Sequence, residues 1–460
     1  MKSKMSKKVW LSIILFSFMG HVAWNVENMY FNTFIYNSVY EGVAKDVVDG
    51  FVPGYTAITW MVQISAIVAV VTSFIMGALS DRVRNRKVFV SVGYIAWGIV
   101  TGLFGFISKD NIAALTGITD QVKILAFTVW AVIIMDAIMT FMGSTSNDSA
   151  FNAWVTDITV PAVRPTVEFV FTILSVVGMV VVMGGEALSK SGVISYSTFF
   201  ICLGAFVSLC GVLGFFIIKE PEHKPSEIIE NKSYVKNLVY GFRPSVIKKN
   251  PRLYLALLSL AFSSIATQVF FPLLFPYLEH TLSPASANDN YLSFKVLAPI
   301  VASLLVTVAL LVLLLKLINK KKGLAMLICI GVFTVSLFAL GFCHKISTVI
   351  VAALPLLPAM LIFTIHIGAC VRDFIPEGKA GTFQGVRMVF AVLLPMLIGP
   401  ALGNLASSMT GKTYTDAVSG QVLDIPSSTM FFFAAGVMFC TFVPMIFLVK
   451  KGFNVEAKED

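Results

Sequence analysis

Long apolar segments alternate with short polar loops along all 460 residues of the chain. Each apolar segment has roughly 20 residues or more, the length at which an α-helix crosses the hydrocarbon core of a bilayer. Backbone amides find no water in lipid, so such segments fold as helices that satisfy their own hydrogen bonds. The predicted spans are 9–32, 54–76, 88–107, 124–146, 166–186, 196–218, 253–277, 291–317, 323–342, 347–369, 382–403 and 428–449. We therefore predict an all-α membrane protein with twelve transmembrane helices.

The composition excludes a soluble domain. Hydrophobic residues make up 57% of the chain and charged residues 13%, whereas soluble domains carry about 25% charged residues. The formal net charge of +9 is explained by lysines and arginines in loops, so no nucleic-acid partner is predicted. The six cysteines lie inside or beside apolar runs without the spacing of metal ligands, so neither zinc nor disulfides are predicted.

Lysine and arginine are distributed unequally between the two sides of the predicted bundle. The side of the N-terminus carries most of them, whereas the opposite side keeps Lys45, Lys109, Lys123, Lys190, Lys295, Lys345 and Lys412. This asymmetry predicts that both termini are cytoplasmic, in a plasma membrane or a bacterial inner membrane. The basic start, residues 1–8, runs into the first span without a cleavage site, so we expect this span to stay as a signal anchor.

The longest polar segment separates spans six and seven, and Pro221 and Pro225 are typical of a linker there. We predict an N-terminal six-helix half at 1–218, a cytoplasmic linker at 219–252 and a C-terminal six-helix half at 253–460. Segments 155–166 and 371–382 align without gaps after spans four and ten, the same place in each half. Two parallel repeats of six helices account for this match.

A short basic hairpin at residues 77–87 connects spans two and three, and it reads G-A-L-S-D-R-V-R-N-R-K. It resembles the loop signature of the major facilitator superfamily, G-x-L-[AS]-D-R-x-G-R-[RK], although Arg84 and Asn85 stand where the family has glycine and arginine. The residues that fit are Gly77, Leu79, Ser80, Asp81, Arg82, Arg86 and Lys87. The resemblance implies the major facilitator fold and secondary transport by alternating access.

Residues 81–86 also resemble the D-R-T-R-S-R segment of the glycoside-pentoside-hexuronide branch, the sugar:cation symporters. This second resemblance implies proton- or sodium-coupled transport of a sugar or glycoside. The W-G-R-R-R-P run that follows in that branch is missing here. Span two carries Gln63 as its one strongly polar group, where melibiose-type members have a carboxylate cluster.

The superfamily resemblance further implies a cytoplasmic gate of ion pairs that latches the outward-facing state. In that pattern Asp81 pairs with a cation on span eleven, for which Arg387 is the candidate. The polar run 143–157 at the end of span four is interpreted as part of the same gate. The gate candidates are Gly77, Asp81, Arg82, Arg86, Asp148, Asp157, Arg164, Glu168, Arg372, Asp373 and Arg387.

Span one has the highest density of polar residues. At 100° per residue, His21, Asn25, Asn28 and Asn32 form one stripe of an α-helix. Amides beside an aromatic ring suit a polyhydroxylated or zwitterionic solute, although such side chains also form hydrogen bonds between helices. The candidates for solute binding are His21, Trp24, Asn25, Asn28, Asn32, Thr140, Gln268 and Gln384.

Three ionisable side chains inside spans are candidates for ion coupling: Glu27, Asp136 and His366. A buried carboxylate without a cation takes up and releases a proton near neutrality, or binds sodium with nearby carbonyls. By periodicity, Glu27 points away from the amide stripe. The alternatives are a fixed ion pair for Glu27, a packing contact for Asp136 and a satisfied core histidine for His366.

The sequence lacks a Walker loop, a metal-ligand cluster and a hydrolase nucleophile motif. We therefore predict no enzyme activity, no metal and no cofactor beyond a coupling ion, H⁺ or Na⁺. The expected partners are a small-molecule solute and the lipid bilayer, and the protein is expected to be a monomer. Two alternatives stay open, which are proton-driven efflux of amphipathic compounds and a transporter-like sensor or scaffold.

Overall fold

The computed structural model divides the chain into two compact units, Met1–Asn231 and Lys232–Asp460. The division falls inside the predicted linker 219–252. The described residues are 6–83, 85–159, 164–220, 241–278, 322–343, 345–375, 383, 386–411, 413–415 and 422–452.

The described part of the N-terminal unit contains ten α-helices. They are α1 (Lys7–Asn25), α2 (Phe31–Phe34), α3 (Lys45–Asp49), α4 (Gly54–Val83), α5 (Arg86–Leu103), α6 (Lys109–Thr116), α7 (Gln121–Gly143), α8 (Asn152–Ile158), α9 (Arg164–Lys190) and α10 (Tyr196–Ile217). Three π-helical segments lie at Val26–Tyr30, Ile35–Val39 and Ser144–Phe151, and a 3₁₀ turn at Phe104–Phe106.

The described part of the C-terminal unit contains eight α-helices. They are α11 (Pro244–Lys249), α12 (Pro251–Phe270), α13 (Leu274–Tyr277), α14 (Lys322–Gly341), α15 (Ile346–Asp373), α16 (Leu394–Ser408), α17 (Thr429–Cys440) and α18 (Phe442–Lys451). A 3₁₀ turn occupies Phe271–Leu273, and a π-helical segment precedes α16 at Val389–Leu393.

Ten helices among the described residues are long and apolar enough to cross a membrane, and each coincides with a predicted span. Predicted span five corresponds to the shorter apolar helix Ile173–Ser189 within α9. Predicted span eight, 291–317, lies outside the described residues. The helical membrane architecture is therefore confirmed, while the number of twelve spans and the cytoplasmic termini stay predictions.

The sequence analysis missed a short β-hairpin in the polar stretch before the last span. Strand β1 (Thr413–Thr415) pairs antiparallel with β2 (Val422–Asp424). Thr413 lies opposite Asp424 in the register. Three-residue strands are too short to show alternation, so the sequence pattern indicated only a loop.

Glycines allow close packing inside the N-terminal unit. A Cβ at Gly211 of α10 would lie 2.6 Å from the backbone oxygen of Ser91 in α5. A Cβ carbon does not approach a backbone oxygen so closely, so only glycine permits this helix contact. Small residues at helix interfaces have this role in membrane proteins.

The π-helical segments interrupt the α-helical periodicity of span one. The sequence analysis assumed 100° per residue throughout, but i→i+5 hydrogen bonding widens the turn after Val26. Glu27 and Asn32 are 6% and 1% exposed, so both side chains lie in the interior. π-bulges of this kind occur frequently at functional sites.

Candidate functional site

Two buried carboxylates define the candidate site in the N-terminal unit. Glu27 lies in the π-helical segment of span one, and Asp136 lies in α7 with 1% exposure. The Thr140 hydroxyl donates a 3.0 Å hydrogen bond to Glu27 Oε1. The Ser65 hydroxyl of α4 donates to Asp136 Oδ2. Thr140 follows Asp136 by one turn on the same face of α7, so three helices bring the two carboxylates together.

The remaining oxygens of both carboxylates lack partners. Glu27 Oε2 and Asp136 Oδ1 are buried without a hydrogen bond to any described residue. In the described part of the chain, neither carboxylate forms an ion pair. Burying a carboxylate charge without a cation is costly. The two hydroxyls therefore hold one oxygen of each carboxylate, and the other oxygen has lone pairs free to bind a proton or a small cation.

Asp148 adds a third negative charge near this pair. It lies in the π-helical segment that follows α7, where the Ser144 hydroxyl donates a 3.0 Å hydrogen bond to its Oδ2. The charges of Asp136 and Asp148 both act on Glu27. The sequence analysis assigned Asp148 to the gate, and that role stays a prediction. Its charge acts on Glu27 as well.

The amides of span one are largely engaged in local hydrogen bonds. Asn28 and Asn32 donate to the backbone oxygens four residues earlier, at 2.7 and 2.8 Å. Asn25 donates to the Ser175 oxygen of α9 at 3.3 Å, which is the interhelical role that the sequence analysis left open. Asn32 Oδ1 is buried without a partner among the described residues, so one acceptor of this stripe is unused there.

Aromatic side chains stand beside the polar stripe. The rings of Trp24 and Trp97 are 5.1 Å apart, and Trp97 Nε1 is a buried donor without a partner in the described part of the chain. His21 is half-buried, with its ring 6.4 Å from that of Phe171. Trp24 therefore packs against Trp97.

Sequence reasoning overlooked several residues of this region. Ser65 is one hydroxyl among many in apolar spans, and no spacing distinguishes it. Tyr94 is fully buried, receives a 2.6 Å hydrogen bond from Asn147 Nδ2 and donates to the Phe16 oxygen at 2.7 Å. Trp97 and Tyr94 lie three residues apart on α5 and therefore share a face, a signal that could have indicated them.

The basic hairpin forms a polar network within the same unit. Arg86 Nε lies 3.4 Å from Asp157 Oδ2, and the Arg86 guanidinium also donates to the Ser80 hydroxyl. The backbone N–H of Lys87 donates to the Glu220 carboxylate, which caps the start of α5. Two predicted gate residues, Arg86 and Asp157, are thus brought together.

The other gate candidates are placed only in part. Gly77 accepts a 3.0 Å hydrogen bond from Ser80 at its backbone oxygen. Asp373 is exposed at the end of α15, and Arg387 is half-buried. The side chains outside the described set are those of Asp81, Arg82, Arg164, Glu168 and Arg372. The pairing of Asp81 with Arg387 stays a prediction.

In the C-terminal unit, His366 is 6% exposed and its Nδ1 donates to the Ile362 oxygen at 2.7 Å. This bond engages one ring nitrogen, and the coupling role and the satisfied core role of His366 both stay predictions. Gln268 is half-buried on α12 and packs beside Gly399. Gln384 lies outside the described residues. In the part of the chain that is described, no cluster of three metal-ligating side chains occurs.

Comparisons with known proteins give the same architecture. A family model described as Major Facilitator Superfamily matches residues 28–400. A mutant of the nucleoside transporter NupG is 13% identical with a TM-score of 0.64, covering 95% of this chain and 99% of that one. A bacterial homolog to the human lysosomal transporter Spinster, inward-facing and unoccupied, is 14% identical with a TM-score of 0.61, covering 98% and 97%.

The same homolog in an inward-facing and occupied conformation is 13% identical with a TM-score of 0.61, covering 96% of this chain and 95% of that one. At such identities the likeness shows the fold alone. No curated protein sequence is significantly similar to the chain. Because the family model spans well over half of its length, the chain belongs to the Major Facilitator Superfamily.

Proposed function

We propose that this chain couples the movement of a small polar solute to a cation, H⁺ or Na⁺, that binds at Glu27 and Asp136. Membership of the superfamily supports secondary transport in general. The observation that carries the coupling proposal is the buried carboxylate pair, held by Thr140 and Ser65 without an ion pair among the described residues.

The mechanism follows from the cost of charge in a membrane interior. With the pair empty, two or more negative charges lie in a low-dielectric environment and repel one another. Binding a cation removes part of this charge, so a protein that carries solute together with the cation reorients more readily than one that carries solute alone. Movement of solute is then tied to movement of the cation within the alternating-access cycle.

The solute class that we favour is a sugar or glycoside. Its support is the resemblance of residues 81–86 to the sugar:cation symporters and the chemistry next to the carboxylates. Trp97 Nε1 and Asn32 Oδ1 supply a donor and an acceptor, and the Trp24 ring supplies an apolar face. Hydroxyl-rich rings are bound by such combinations of amide, indole and aromatic surface.

Proton-driven efflux of amphipathic compounds is the second candidate. The neighbouring Trp24 and Trp97 rings and the negative pair would also suit an amphipathic cation, which aromatic faces attract. A transporter-like sensor would bind solute at the same groups and move none. Transport assays separate these functions.

The test is reconstitution of the purified chain in liposomes with an internal pH dye. Sugars, glycosides, nucleosides, amino acids and cationic dyes are added outside, in sodium and in sodium-free buffer. Internal acidification with one sugar class establishes proton symport, and sodium-dependent uptake establishes sodium symport. Dye movement against its gradient establishes efflux. Saturable binding without movement of any solute would refute transport in favour of a sensor.

A further inference from the structure

A groove runs along the outside of the C-terminal unit between α11, α12 and α18. Its volume is about 370 Å³, and Lys248 and Lys451 line it together with Leu255, Leu258 and Phe447. The groove is independent of the carboxylate pair, since it belongs to the other compact unit.

Charge and apolar surface are separated along the groove. Lys248 and Lys451 lie in the last turns of α11 and α18, where these helices reach the same membrane face as the start of α12. Leu258 lies seven residues into α12, roughly 10 Å deeper at 1.5 Å per residue. The groove therefore has a cationic mouth and an apolar floor.

The groove is open to the bilayer. Phe447 is 53% exposed and Leu258 is 39% exposed, which is the surface that a membrane protein presents to lipid. Both lysines are exposed, and among the described residues neither forms an ion pair. Adjacent Lys249 and Lys450 increase the positive potential at the mouth.

We infer that this groove binds one anionic phospholipid of the leaflet at this face. Lys248 and Lys451 contact its phosphate, and an acyl chain lies along Leu255, Leu258 and Phe447. Charge complementarity decides the occupant. Basic pockets at helix ends attract anionic head groups with about 1 kcal/mol per lysine, whereas a zwitterionic head group offers no net charge.

The experiment is titration of the purified full-length chain with dioleoyl phosphatidylglycerol, read by native mass spectrometry, with dioleoyl phosphatidylcholine as the neutral comparison. We expect saturable binding of one phosphatidylglycerol molecule per chain. The double variant Lys248→Gln/Lys451→Gln should weaken it roughly thirtyfold, since two lysines at about 1 kcal/mol each give about 2 kcal/mol.

The matched control is Lys249→Gln/Lys450→Gln, which removes the same charge from the last turns of the same two helices but outside the groove lining. We expect this variant to lose less than threefold in affinity for phosphatidylglycerol. Equal losses in both variants would show only general attraction of the basic face and would overturn the proposal.

A second pair of measurements tests the apolar floor. Phe447→Ser should weaken phosphatidylglycerol binding several-fold, and soluble glycerol phosphate should not displace the lipid. Displacement by glycerol phosphate, or unchanged binding by both the Phe447→Ser and Lys248→Gln/Lys451→Gln variants, would refute a lipid site. None of these readouts involves the transported solute, so their failure would leave the proposed transport function untouched.

Discussion

The substitution Glu27→Gln separates coupling from transport. An amide oxygen can still accept the hydrogen bond of Thr140 at the position of Oε1, and the change removes a charge that repels Asp136. The fold of this region should therefore be preserved. What the variant loses is the capacity to exchange a cation at this side chain.

The magnitude follows from the membrane potential. One elementary charge crossing 100 mV contributes about 2.3 kcal/mol, which is about fiftyfold in an equilibrium ratio. Wild-type protein that couples one cation should concentrate its solute about fiftyfold in liposomes held at 100 mV without an ion gradient. The Glu27→Gln variant should stop near equal concentrations while still exchanging labelled for unlabelled solute.

The assay is uptake of labelled solute under a potassium diffusion potential, followed by counterflow in the same vesicles. Asp110→Asn is the matched control, because Asp110 is an exposed carboxylate on α6, and it should accumulate solute like the wild type. Fiftyfold accumulation by Glu27→Gln would refute the assignment of Glu27. Loss of both accumulation and counterflow would show a role of Glu27 in solute binding or in the transport cycle, and would equally refute a role confined to coupling.

Two further outcomes concern the stability of the N-terminal unit. Gly211→Ala should lower the free energy of unfolding by about 1–3 kcal/mol through overpacking against α5. At Gly184 an added Cβ meets no described residue within 4 Å, so Gly184→Ala should raise this free energy by about 0.5–1 kcal/mol. Thermal melts in detergent that give the same sign for both variants would contradict the close packing. The ion pair of Arg86 and Asp157, whose side chains are 9% and 34% exposed, should show a coupling energy of about 1 kcal/mol in a double-mutant cycle with Arg86→Gln and Asp157→Asn, and additive single effects would show that the pair is not formed.

The helical architecture could be predicted because apolar length is a local property. A run such as 196–218 specifies a membrane helix by its own residues, and α10 ends within one residue of that prediction. The superfamily could also be predicted, since the hairpin motif at 77–87 is contiguous in sequence.

The site could be predicted only in part, because its geometry depends on contacts between distant residues. Glu27 and Asp136 were indicated by the cost of charge in a span, but Ser65 bonds to Asp136 across 71 positions. A hydroxyl costs little free energy inside a membrane helix, because it bonds to a backbone oxygen of its own helix. Its presence in a span therefore does not indicate a functional site. The π-helical turn Val26–Tyr30 also has no sequence signature, so the departure from 100° per residue in span one could not be predicted.

The hydroxyl of Ser65 offers a way to identify the coupling ion. It is 3% exposed and donates to Asp136 Oδ2. A hydrogen bond to a charged group contributes about 1.5–3 kcal/mol, or about 12- to 150-fold in an affinity. Ser65→Ala removes this stabilisation from the ionised carboxylate and also removes an oxygen that a metal cation could bind.

The loss of this hydroxyl should shift the ion concentration for half-maximal transport in opposite directions for the two ions. If the ion is a proton, Ser65→Ala destabilises the ionised form of Asp136 and so favours the protonated form. Half-maximal transport should then occur at a lower proton concentration. If it is sodium, the site loses a ligand, so half-maximal transport should require more sodium. The control Ser259→Ala removes a fully buried hydroxyl whose one hydrogen bond among the described residues is to the Leu255 oxygen of its own helix. It should leave both dependences unchanged. Uptake by Ser65→Ala with wild-type dependence on both ions would show that Asp136 is not part of the coupling site, and Glu27 would have to act without it.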